Sequence, residues 1–223
     1  NDRLLLMAIL VTVWGVRLSA NFAVKGGFSG GEDYRWKEVR SWFPGMKYEV
    51  FNLVFVCVFQ QMELLAFTVP AVAALQSTEP LNLLDLGAAL WYLILVAWEA
   101  VADYQMLCFQ TEKYRRIGAG EPAGPYARGF IESGLWSLTR HPNYFAEVTM
   151  WWVFYLFSVA ATSDFLNWTI LGCIFLTGLF VPPGASLDVT EALSSRKYPA
   201  YAEYQLTTSR FVPWWPKPKP KYN

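Results

Sequence analysis

Five long apolar runs set the first limit on what this sequence can fold into. They cover residues 4–24, 50–75, 86–109 and 143–161, with a fifth and shortest run at 168–181. A hydrocarbon core of about 30 Å takes roughly 20 helical residues to cross. Inside it, every backbone N–H and C=O must be paired within the segment or its bundle. A helix meets that demand alone and an open strand does not. The expected fold is an all-α, multi-pass transmembrane bundle of five or more spans, a single membrane domain over 1–223. An amphiphilic tail over 185–223 completes it. At 54% hydrophobic and 17% aromatic, the chain is too apolar for an ordinary soluble domain of 223 residues.

Charge is balanced, 18 Lys and Arg against 18 Asp and Glu, so nucleic acid is not an expected partner. Its distribution is uneven. Sixteen of the 18 cations lie in three segments, 25–49, 110–143 and 185–223, and the turns at 76–85 and 162–167 have none. Five alternating spans place the basic segments on one face and the bare turns on the other. The positive-inside rule then puts the basic face and the C-terminus in the cytosol, or in the matrix of a mitochondrion. An endoplasmic reticulum or mitochondrial inner membrane is expected. Three cysteines without a Cys-x-x-Cys spacing argue against a disulfide framework, and a single histidine excludes a multi-histidine metal site. The chain opens on Asn1 close to an apolar run, so the true N-terminus is expected to be absent or cleaved.

Polar groups inside the runs mark candidate chemistry. Gln60, Gln61 and Glu63 sit mid-run, where a carboxylate costs on the order of 3 kcal/mol and normally faces a partner or a wet cavity. Glu63 reads either as an interhelical hydrogen bond or as a polar group at the substrate end of a pocket. Glu99 and Asp103 are four apart and share a helix face, where like charges repel. Pro70 marks a kink or an end. In the loop 25–49, Arg35 and Arg40 are either phosphate partners or members of ion pairs in an interfacial helix.

The densest cluster is Gly134-Leu-Trp-Ser-Leu-Thr-Arg-His-Pro-Asn-Tyr-Phe-Ala-Glu147. It contains the lone histidine. Pro142 biases His141 away from helix and is itself favoured as the first residue of one. Arg140 and His141 then stand at the positive end of a helix dipole, a ready anion site.

This stretch resembles the signature of a membrane group that includes steroid 5-alpha-reductases and isoprenylcysteine carboxyl methyltransferases, and within it the DUF1295 branch. Trp14-Gly-Val-Arg-Leu18, Glu32-Asp-Tyr-Arg-Trp36, Ala102-Asp-Tyr-Gln105 and Thr208-Ser-Arg-Phe-Val-Pro-Trp214 resemble further elements of that branch. Thr139 stands where the branch usually has Ser, and Ala146 where it usually has Gly. The resemblance implies NADPH as cofactor, held by Arg140, His141, Asn143, Tyr144 and Glu147 together with Tyr201, Tyr204 and Arg210 of the tail. It implies reduction of a C=C bond in an enone or enoyl lipid; His141 is a candidate proton donor, and Glu63 and Glu99 are this chain's own candidates for catalytic acids on the substrate side. The membrane's own lipids and an apolar, lipid-like substrate are the expected partners. Two other readings stay open. One is a methyltransferase of the isoprenylcysteine type using S-adenosylmethionine. The other is a non-catalytic subunit that keeps the fold within a larger membrane assembly of other subunits.

Overall fold

The computed structural model describes residues 1–30 and 34–218, without the side chains of Tyr34, Arg35 and Glu38. Glu32, Asp33, the side chain of Arg35, and Lys219 and Lys221 of the tail therefore lie outside the described residues.

The described residues are almost wholly helical and contain no β-strand, only one isolated bridge between Thr139 and Ser209. In order they form α1 (Asp2–Val24), α2 (Tyr34–Trp42), α3 (Met46–Thr68), α4 (Pro70–Gln76), α5 (Leu83–Ala119), α6 (Pro142–Thr162), α7 (Ile170–Phe180), α8 (Ser186–Lys197) and α9 (Tyr201–Thr207). Helices α1, α3, α5 and α6 are long and apolar enough to cross a membrane. The all-α membrane bundle is borne out, with four such helices and one shorter apolar helix, α7, among the described residues. At 11 residues α7 is about 16 Å long, shorter than a hydrocarbon core.

Other boundaries differ from expectation for local reasons. The run 50–75 divides at Val69, because Pro70 cannot donate a backbone hydrogen bond and instead opens α4. The middle of α3, Asn52–Phe59, is π-helical. Helix α5 continues past its apolar run to Ala119. There Glu112 pairs with Arg115 at 2.7 Å and with Arg116 at 2.8 Å, the three- and four-residue spacings that support a helix. The polar connection that follows the apolar run 86–109 therefore begins only after Ala119.

The chain forms two compact units, Asn1–Tyr92 with Trp151–Leu176, and Leu93–Met150 with Thr177–Asn223.

In the first unit a buried ion pair ties the start of α1 to the start of α5. The Arg3 guanidinium meets both carboxylate oxygens of Asp85 at 2.8 Å, and both side chains are almost fully buried. Arg3 also donates to the carbonyls of Glu79, Pro80 and Ala160. Asn82 caps α5 by accepting from the amides of Leu84 and Asp85, while Asp85 accepts from the amide of Asn82. One arginine thus gathers the ends that the bare turns connect. Fully buried Trp151 contacts Trp14, Phe67 and Phe154 at ring distances of 5.1, 4.1 and 5.4 Å. Gly172 of α7 packs flat on α3, where a Cβ would collide with the carbonyl of Ala66.

In the second unit the loop after α5 folds back on α5. The Gln105 side chain accepts from the amide of Leu135 at 3.0 Å, and Trp136 Nε1 donates to the carbonyl of Ala102 at 3.1 Å. Gly134, at φ +63°, makes this approach possible: a Cβ there would run into Gln105. Tyr144 near the start of α6 meets Phe180 at the end of α7, ring centroids 5.2 Å apart. The chain thereby returns to the beginning of α6, and the tail starts there.

Candidate functional site

Helix α6 begins at Pro142, as its missing N–H favours, and His141 and Arg140 immediately precede it. Both are buried, at 3% and 7% exposure. The reason is Glu191 of α8, a buried carboxylate. Arg140 Nε and Nη2 grip its two oxygens at 2.6 and 3.1 Å. His141 Nε2 lies 3.1 Å from the same carboxylate, and Gln205 of α9 donates to it at 2.9 Å. Arg140 Nη1 then donates to the carbonyls of Gln205 and Thr208, at 3.0 and 2.5 Å. Four of the five guanidinium N–H groups are thus used inside the protein.

The electrostatics follow from this arrangement. Burial alone would raise the Glu191 carboxyl. The hydrogen bonds from His141, Arg140 and Gln205 outweigh it and hold the group down at about 2. Burial pushes the His141 imidazole below its ordinary value, even against the pull of Glu191. A neutral imidazole facing an ionised carboxylate carries its proton on Nε2, so Nδ1 is an acceptor. The ring of Tyr144 lies parallel to the imidazole, 4° between planes and 5.6 Å between centroids.

The tail is zipped onto the signature. The amide of Arg140 donates to the carbonyl of Ser209 at 2.9 Å, and Thr139 Oγ1 donates to that of Phe211 at 2.9 Å. The Tyr204 hydroxyl donates to the carbonyl of Trp136. Tyr201 and Tyr204 both pack on Phe130, as a shared face of α9 requires. Arg210 Nη2 pairs with Asp188 at 2.5 Å, while Arg210 Nε is buried and has no acceptor among the described residues.

The sequence-derived candidates therefore divide. Arg140, His141, Tyr201 and Tyr204 form the buried base of the cluster. Asn143, Tyr144, Glu147 and Arg210 are half-buried. Glu99 is buried on α5 in the same unit. Glu63 belongs to the first unit, where it lines an open apolar groove of about 540 Å³ with Phe59, Met62, Ala66, Gly172 and Phe175. Ala146, where the resembling branch usually has Gly, is fully buried in α6. Glu191 and Asp188 were not among the candidates. Glu191 stands in the amphiphilic tail over 185–223. Its role as shared counter-ion has no local signal, because its partners are 50 and 51 residues away.

Fold and site together define an all-α integral membrane protein with a buried polar cluster at one end of a spanning helix. The chain belongs to the DUF1295 family, described as a protein family of unknown function, which matches residues 1–208. That bears out the DUF1295 resemblance. The chain is similar to the uncharacterized protein C594.04c of Schizosaccharomyces pombe, 35% identical over 226 residues. The match covers 96% of this chain and 64% of that protein, so the chain spans less than two thirds of its relative. No solved structure matches.

Proposed function

We propose that the chain is a membrane-embedded NAD(P)H-dependent reductase acting on a C=C bond of a lipid-like enone or enoyl compound. The observation that carries this reading is the orphaned Nε of Arg210 beside the start of α6. A buried guanidinium donor without an acceptor is costly unless a ligand supplies one. The amides at the start of α6 add a positive dipole end. A dinucleotide's phosphates fit that pair, and the cofactor, when bound, supplies a hydride. Arg140, Tyr201 and Tyr204 hold the tail in place. His141 is positioned by Glu191 with Nδ1 able to accept from a hydroxyl or amide N–H. Asn143, Tyr144 and Glu147 flank the same turn. The basic segments would face the soluble nucleotide, in the cytosol or matrix, and the apolar substrate would arrive from lipid.

Titrating the full chain in detergent with NADPH and, separately, S-adenosylmethionine tests this reading by thermal shift. NADPH should stabilise the wild type. Arg210→Ala should weaken NADPH binding about tenfold, in line with loss of one charged contact. Equal affinity in wild type and variant would count against the site, and a shift with S-adenosylmethionine alone would favour the methyltransferase chemistry.

One observation favours a second reading. Arg140, the cation to which the resemblance assigns a phosphate, is occupied by Glu191 and two carbonyls. A non-catalytic subunit that keeps the fold would look the same. It would bind neither cofactor and would purify with partner chains.

A further inference from the structure

Helix α3 crosses the membrane almost bare. Only 6% of its most apolar stretch is buried within the chain, against 67% for α6. Its contacts with α7 lie on one side, where Phe59 meets Phe175 at 5.4 Å between ring centroids and Ala66 packs against Gly172. Glu63 turns to that side and lines the groove between α3 and α7. Gln61, two residues earlier, stands about 200° around the helix from it, on the uncovered side. The Gln61 side chain is exposed, and its amide has no hydrogen-bond partner among the described residues.

A primary amide has two N–H donors and an acceptor oxygen to satisfy. Gln61 is four residues from the midpoint of α3, Met46–Thr68, hence about 6 Å from the middle of a core about 30 Å thick. Hydrocarbon offers it no bond, and water is absent at that depth. The residues around it have the layout of a helix contact. Val54, Val58, Gln61 and Leu65 follow one another at intervals of four, three and four, the spacing of a seam along which two helices pack. Val54 and Val58 lie in the π-helical part, where residues four apart still share a face. Val58 and Leu65 are 51% and 68% exposed, so the described residues leave the seam unfilled.

Two considerations select a second copy of this chain as its occupant. The amide is its own complement: the N–H of one Gln61 fits the carbonyl of another, and a two-fold axis returns the same bond. Both copies also insert with one orientation, because the same charge pattern orients each of them. A two-fold axis along the bilayer normal therefore brings the two Gln61 side chains to one depth. An unrelated helix would match only by carrying its own polar group at that level. We propose that α3 pairs with α3 of a second copy along Val54, Val58, Gln61 and Leu65, with the two Gln61 amides bonded across the axis. The single polar residue in the seam fixes its register. The pairing depends on no cofactor and no activity.

Single-molecule photobleaching of the labelled full chain in lipid vesicles, over a range of protein-to-lipid ratios, tests it. The wild type should bleach in two steps, giving way to one step on dilution. Q61L should raise the dimer dissociation constant roughly three- to tenfold, the range of interhelical side-chain hydrogen bonds in a membrane. Its melting temperature should not fall, since leucine suits a lipid-facing position. Q61N, which keeps an amide, should recover part of the affinity. Cys57 and Cys108 are exposed, so crosslinking is done in a C57S/C108S background. There V58C and L65C should form disulfide-linked dimers on oxidation in the membranes of the producing cells, whereas L90C, at an exposed position of α5, should not. A wild type that is monomeric at every ratio would overturn the proposal. So would an unchanged dissociation constant in Q61L, or crosslinking at Leu90 as fast as at Val58 and Leu65.

Discussion

Arg140 and Glu191 stand 51 residues apart in sequence and meet as a two-point ion pair, buried at the threshold of α6. Through it the signature loop and the tail become one piece. Removing Glu191 would strand a buried guanidinium, whereas removing both side chains would leave no buried charge unpaired, only the neutral groups of His141, Gln205 and Thr208 that they bond. Glu191→Ala is therefore expected to cost about 3–5 kcal/mol, and an Arg140→Met, Glu191→Leu double variant appreciably less. Thermal melts of the three proteins in one detergent give the comparison. A double variant that loses as much as Glu191→Ala would mean that the pair does not act as a unit.

Acid should loosen the same cluster, and the sign can be worked out group by group. The ordinary value of His141 is 6.5 and burial lowers it, so below about pH 6.5 the unfolded chain takes a proton that the folded chain resists. Glu191 falls from 4.5 to about 2, so between those values the unfolded chain again binds more protons. Stability contributed by both groups is present at neutral pH and is lost on acidification, first through the histidine and then through the carboxylate. Melting temperature followed from about pH 7 to about pH 3 should show this decline. Glu191→Gln should flatten its lower part, and a variant with an unchanged acid limb would exclude Glu191 as its source.

At the other buried pair, Asp85→Ala should destabilise the first unit by about 3–5 kcal/mol, because Arg3 would keep its charge without a counter-ion. Hydrogen exchange at the start of α5 should rise together with exchange at the start of α1. A change confined to α5 would mean that Arg3 finds another partner.

Gly172→Ala introduces a methyl group against the backbone of Ala66, which cannot turn aside as a side chain can. Overpacking of this kind costs about 1–3 kcal/mol. Gly178, whose added Cβ would meet nothing, is the control in the same helix. Equal melting temperatures for the two variants would refute the close approach of α7 to α3.

Asp188 competes with any anion for Arg210, to which it lies at 2.5 Å. Under the reductase reading Asp188→Asn should tighten NADPH about fivefold, while the fold is little affected by loss of an exposed pair. Weaker binding in that variant would show that Asp188 helps the ligand rather than opposing it.

Much of the membrane architecture was readable one segment at a time. The apolar runs located α1, α3, α5 and α6, and Pro142 marked the first residue of α6, because run length and a missing N–H are local properties. Where helices outran their apolar residues, as α5 does through Glu112, Arg115 and Arg116, a hydropathy argument had no view of the ion pairs that extend them. The resembling segments were also informative. Ala102 and Gln105 turn out to bind Trp136 and Leu135 of the signature itself.

Sequence by itself determined that this chain is helical, crosses a membrane and belongs with DUF1295, since each follows from composition, spacing or matched motifs along the chain. Tertiary structure alone decided which charged residues meet. Arg140, a candidate for phosphate, meets Glu191 51 positions away, and Arg3 reaches across 82 positions to Asp85. A buried charge takes the nearest counter-ion in space, and nearness in space between helices is written in the packing of the whole chain rather than in any window of it.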